Sequence, residues 1–305
     1  MRIRALLLVM FAVAAVVVVA GAVVDDSGLV SQGAVASLVA LVGYAVVAGR
    51  TAPPLVRWAL VGALAVLTVA VARRPTASTG STVTAHAWFG VTSGRPRVTG
   101  LAGLAQVVWD DLSGAAAPLL GYACLVVAVA ALPRYHRPRL AIAGLAVVVL
   151  ALAYAGLLVW DAVADRRAGG LPGLSPPQLL ACAATPLLLT SLALAGAAIA
   201  AQRVPPDRAR GVPASLAAGG MLVLALPGLA TLEPAISSAP FRFEQPGQAN
   251  GSALLTPGLR YGHEVVSTAV TRQVSFTSIV VGAALLAALA VVVWGCLRAA
   301  RPVPG

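Results

Sequence analysis

Lysine is absent from this sequence, and only 10% of its 305 residues are charged. Soluble domains carry about 25% charged residues. A chain this poor in charge, with 59% hydrophobic residues, cannot keep its surface in water, and lipid must replace water as its main solvent. All 21 basic residues are arginine; with the excess of Ala, Val, Leu and Gly this suggests a GC-rich coding bias of the actinobacterial kind. Cysteine is scarce as well. Cys124, Cys182 and Cys296 all fall within or at the end of apolar stretches, with no CxxC spacing, so neither an external disulfide nor a Cys-based zinc site is expected. The net charge of +11 does not point to nucleic acid, because the arginines sit between apolar runs instead of clustering with aromatics on a soluble face. No Walker A loop, HExxH helix, GxSxG elbow or paired helix histidine is present. No cofactor and no metal site is expected.

What the sequence does have is long apolar runs. A bilayer core about 30 Å thick takes roughly 20 helical residues to cross. Eight stretches come close, near 5–24, 28–48, 55–72, 113–132, 140–160, 177–201, 215–232 and 277–297. The seventh is short and carries Pro227-Gly228 near its end, which reads as an interruption. The fold class expected is therefore an all-α polytopic membrane protein of about eight transmembrane helices. Met1 to Ala22 also has the basic start and the Ala20-Gly21-Ala22 stretch of a cleavable signal, but its apolar run is longer than a signal core, and it is read as the first span.

Arginine placement sets the orientation, since loops on the cytoplasmic side retain positive charge. With the N-terminus inside, the inner segments hold twelve arginines and one acid, Asp207, a net of +11; the outer segments hold nine arginines and nine acids, a net of zero. Trp58, Trp109, Trp160 and Trp294 fall at expected helix ends, the headgroup level that indole favours. The expectation is a multi-pass protein of the cell membrane with both termini cytoplasmic and the lipid bilayer as its main partner.

The loops suggest a duplication of four helices plus four, residues 1–132 and 133–305. In each half a short acidic outer turn precedes a span and then a basic inner loop with two prolines, Gly49 to Pro54 and Gln202 to Asp207. Each half then has one long outer loop, 73–112 and 233–276. An even number of spans per half makes such repeats parallel. In the first loop Val83, Ala85, Ala87, Phe89 and Val91 alternate with polar neighbours; in the second Val266, Thr268, Val270, Arg272, Val274 and Phe276 share one strand face. A small, partly β extracytoplasmic cap is expected from the two loops. Val98, Leu101, Leu104, Val107 and Val108 have helical spacing and suit a segment lying on the membrane surface.

Ionisable residues inside a membrane usually mark ion or proton pathways, and here only Arg57 enters a span, near enough to its inner end to snorkel. The chemically capable side chains lie outside. His86 and His263 occupy the two long loops, with Glu264 beside the second, a set able to bind a transition metal or act as a base pair. A histidine on an exposed strand is equally an ordinary solvated residue. Asp110 and Asp111 open the fourth stretch and suit a divalent cation bridging to a phosphate-bearing lipid; the plainer reading is acidic charge offsetting a helix N-terminus. Pro186, with Thr190, and Pro227 mark mid-span breaks of the kind that line substrate cavities. Two functions are carried forward. One is a non-enzymatic transport permease or membrane-complex assembly component of the bacterial envelope, with a partner subunit. The other is an outer-leaflet enzyme on a lipid-linked substrate using His86, His263, Asp110, Asp111 and Glu264.

Overall fold

The computed structural model describes residues 2–24, 26–73, 100–133, 138–168, 175–205, 207–237 and 282–301. Among these, every regular element is a helix. In chain order they are α1 (Arg2–Val23), α2 (Ser27–Ala48), α3 (Pro54–Ala72), α4 (Gly100–Gly114), α5 (Ala116–Ala130), α6 (Pro138–Ala168), α7 (Pro176–Gln202), α8 (Arg208–Ser237) and α9 (Gly282–Ala299). A single 3-10 turn, Gly49–Thr51, links α2 to α3. Seven of the helices are long and apolar enough to cross a membrane, and α4 with α5 makes an eighth if the bent pair is one span. The long-loop residues read as β strands, with His86, His263 and Glu264, lie outside the described residues.

The helix starts follow from local chemistry. Asp26 caps α2, its carboxylate accepting from the backbone N–H of Gly28 at 2.8 Å and Leu29 at 3.1 Å. Pro54 opens α3, where a missing N–H does no harm. Ser175 and Gln178 form a capping box ahead of the prolines that begin α7. Asp207 accepts from the Ala209 N–H at 3.1 Å at the start of α8.

Three sequence expectations need correction. The fourth span is not one straight helix: it breaks after Gly114, and the two pieces meet at 70°. The 15 residues of α5 span about 22 Å at 1.5 Å per residue, short of a full crossing. Pro227-Gly228 does not interrupt α8, which runs for 30 residues through Pro213, Pro227 and Pro234. Finally, Asp110 and Asp111 stand in the last turn of α4 and do not open a span. The helix dipole there is negative, so offsetting a helix N-terminus does not explain them.

Packing divides into a large cluster and a small one. The large core joins α1, α2, α3, α5, α7, α8 and α9 and includes Leu60, Leu64, Leu125, Met221 and Val292, all fully buried. Tyr122 ties α5 to α8 by donating to the Leu224 carbonyl at 2.9 Å. Arg203, buried beyond the end of α7, donates to the Leu132 carbonyl and so joins the ends of α5 and α7. The small cluster, Ala155, Leu179, Cys182, Ala183, Leu232 and Ile236, holds α6, α7 and α8 together toward the acidic end of the bundle.

Candidate functional site

Between the two clusters lies a crevice of about 250 Å³. Its walls are Val148, Ala151 and Leu152 of α6, Leu187, Thr190, Ser191, Leu194 and Ala195 of α7, and Leu229 and Leu232 of α8. Leu152, Ser191 and Ala195 are exposed, so the crevice opens sideways from the bundle. Of the three residues singled out for a mid-span cavity, Thr190 lines it directly. Pro186 lies one turn before Thr190, and Pro227 adjoins the glycine that packs on both.

That glycine explains why α7 and α8 approach so closely here. A Cβ at Gly228 would stand 2.8 Å from the Pro186 carbonyl oxygen and 3.0 Å from the Thr190 backbone nitrogen, and would collide with Thr190 Oγ1. Only a residue without a side chain fits between two helix backbones at this separation. Across the α6 interface a Cβ at Gly144 would stand 3.0 Å from Ala198 Cβ and 3.1 Å from its Cα, so α6 also meets α7 closely at that end. The crevice is the space between α6 and the closely packed α7–α8 pair, beyond the Gly144–Ala198 contact.

Its polar inventory is small and unusual. Elsewhere hydroxyls on the apolar helices return to the carbonyl one turn back: Ser37 to Gly33 at 2.8 Å, Thr68 to Leu64 at 2.7 Å, Ser215 to Gly211 at 2.8 Å and Thr231 to Pro227 at 2.8 Å. Thr190 does not. Its Oγ1 is buried against Gly228 with no hydrogen-bond partner, and Thr185 Oγ1 is likewise unpartnered. A buried hydroxyl left unmade costs about 1–3 kcal/mol, so α7 carries two unsatisfied polar atoms around Pro186. Thr190 Oγ1 faces Gly228, so a ligand's polar atom would reach it only if α7 and α8 shift apart.

Of the other candidates within the described residues, Asp110 and Asp111 do not line this crevice. Asp110 is exposed and Asp111 half-buried near the end of α4, next to the exposed Trp109. Both carboxylate residues have partners, and the Asp110 carbonyl accepts from Ser113 Oγ at 3.0 Å. Among the described residues no three His, Cys, Asp or Glu side chains group as metal ligands. Sequence reasoning missed the α6 wall, Val148, Ala151 and Leu152. Aliphatic residues at helical spacing look the same whether they face lipid, core or a crevice, and no signal in the chain separates them. The close approach at Gly228 was detectable as the Pro-Gly pair, although its consequence is tight packing and not a break. Comparison with protein-family models, with curated proteins and with solved structures gave no match.

Proposed function

We propose that this chain is a non-enzymatic transport permease of the bacterial cell envelope, and that the α6–α7–α8 crevice receives the apolar part of an amphiphilic substrate from the bilayer. The observation that carries the reading is the crevice itself. It is apolar and laterally open, it adjoins the proline-bearing middle of α7, and its wall holds a hydroxyl without a partner. Transporter sites are commonly built where spanning helices carry proline near the bilayer midplane. The companion reading as a membrane-complex assembly component rests on the same inert chemistry, with the partner subunit engaging the outer loops.

The arginine asymmetry supports placing both termini in the cytoplasm. Parallel four-plus-four repeats draw support from equivalent neighbours in the two halves, α1 on α2 on α3 on α5, and α6 on α7 on α8 on α9. The alternation in the two long loops supports a small, partly β cap over the outer end.

A cysteine introduced as Ser191→Cys in a Cys-less background tests the crevice. Reaction with a membrane-permeant maleimide, slowed when an amphiphilic substrate is added, is the expected result. Labelling at a rate indifferent to every amphiphile that the cells export or import would remove the crevice from the transport path.

A further inference from the structure

The opposite end of the molecule from the acidic turns holds a second group of unsatisfied polar atoms. Leu7 of α1 packs at the position of Gly43 on α2, where a Cβ would lie 3.1 Å from Leu7 Cδ2. Farther along, a Cβ at Gly49 would lie 3.0 Å from Arg57 Cγ of α3 and 3.4 Å from Leu297 Cδ2 of α9. These contacts bring the ends of α1, α2, α3 and α9 together. Each contributes arginine: Arg4 stands one turn from Leu7, Arg57 lies over Gly49, and Arg298 and Arg301 follow Leu297.

Among the described residues no carboxylate pairs with these guanidinium groups. Nε of Arg301 and Nε of Arg57 are both buried with no hydrogen-bond partner. Asp207 is the single acid in the inner segments of the sequence, and it caps α8. Burial, then the neighbouring charges of Arg298 and Arg4, push Arg301 below the usual arginine range, with Tyr44 acting in the opposite direction. Arginine nevertheless stays charged, so the group stores mutual repulsion that an anion would relieve. Two tryptophans flank it, Trp58 with Arg57 at 4.9 Å from the ring centroid and Trp294 with Arg298 at 5.7 Å. Indole at this height matches the headgroup layer.

We propose that Arg301, with Arg4 and Arg298 and bordered by Arg57, forms a binding site for a phosphate-bearing anion, supplied by an anionic lipid headgroup. The guanidinium fork fits phosphate oxygens in pairs, and its Nε–H is part of that fork. The site is independent of the crevice and of the transport reading. An anionic lipid held there would clamp α1, α3 and α9 to the end of α2.

Native mass spectrometry of the full chain, released from mixed vesicles of phosphatidylglycerol and phosphatidylcholine, tests the site. The unaltered protein is expected to retain phosphatidylglycerol preferentially. R4Q/R301Q is expected to lose that preference roughly tenfold, the scale of one charge-assisted hydrogen bond, while the charge-matched R208Q/R210Q keeps it. R4K/R301K, which preserves charge and guards against misfolding, is expected to fall between them. A second arm gives inorganic phosphate to protein in phosphatidylcholine alone; arginine-dependent phosphate binding there would assign the same site to a free anion. Equal retention of the two lipids without phosphate binding, or an equal loss in R208Q/R210Q, would overturn the proposal.

Discussion

The two ends of the α6–α7–α8 bundle are packed on different principles. Toward the arginine-rich end, α7 and α8 join the large core, where side chains such as Met221 and Ala193 are fully buried and Tyr122 bridges from α5 to α8. Toward the acidic end, six buried residues hold the same helices, and α6 is almost wholly unburied across Gly144–Asp161. Lipid offers apolar side chains nearly the same environment as a protein core, so helices in a membrane are held by close fit and hydrogen bonds instead of the hydrophobic effect. A bundle can therefore be tight at one end and open at the other. The crevice at Thr190 lies at the changeover.

Gly228→Val is expected to have the largest effect on that contrast. The obstructing atoms are helix backbone, so relief requires α7 and α8 to separate, at about 3 kcal/mol, the upper range for overpacking. Thermal unfolding of the detergent-solubilised protein would register it; an unchanged midpoint would mean that the two helices are not in the close contact described. Tyr122→Phe is expected to come next. It removes one buried bond to the Leu224 carbonyl and should destabilise by about 1 kcal/mol, within the range for hydrogen bonds between membrane helices. Thr190→Val is expected to be the one change of the three that does not destabilise, and to stabilise by up to about 1 kcal/mol, because it removes a buried hydroxyl that has no partner. A loss as large as that of Tyr122→Phe would show that Thr190 is bonded within the protein and is not available to a ligand.

The competing enzyme reading separates from the permease reading without structural work. Replacing His86, His263, Asp110, Asp111 and Glu264 by Ala is expected to leave substrate translocation in proteoliposomes within about twofold, the spread of surface substitutions. Loss of activity with normal expression would move the function to the outer loops. Crosslinking of His86→Cys with His263→Cys would then decide whether those loops share one site.

Much of the fold was legible because its causes are local. Apolar run length located the spanning helices, and the structure adds that Asp26, Pro54 and Ser175 set where three of them begin. The break between α4 and α5 was overlooked, although Gly114 and Pro118 bracket Ala115, which turns the chain with φ −99° and ψ 8°. Pro118 has no N–H for the Gly114 carbonyl, so the bond that would carry a straight helix through is missing. Pro227 misled for the opposite reason. In an apolar setting the helix keeps its remaining bonds, and Thr231 adds one to the Pro227 carbonyl at 2.8 Å. Of the residues singled out from proline and hydroxyl placement, Thr190 lines the crevice while Pro186 and Pro227 lie beside it, whereas the α6 wall depends on which face of a uniformly apolar helix meets α7. That choice is made by tertiary packing alone.

The central claim, that the crevice receives an amphiphile, is tested most directly by native mass spectrometry of the gently solubilised protein beside Ala151→Phe. The account predicts a co-purifying amphiphile on the unaltered chain that is lost when Phe fills the crevice. An amphiphile retained equally by both, or a lipid-linked sugar or metal ion that depends on Asp110 and Asp111 instead, would contradict it.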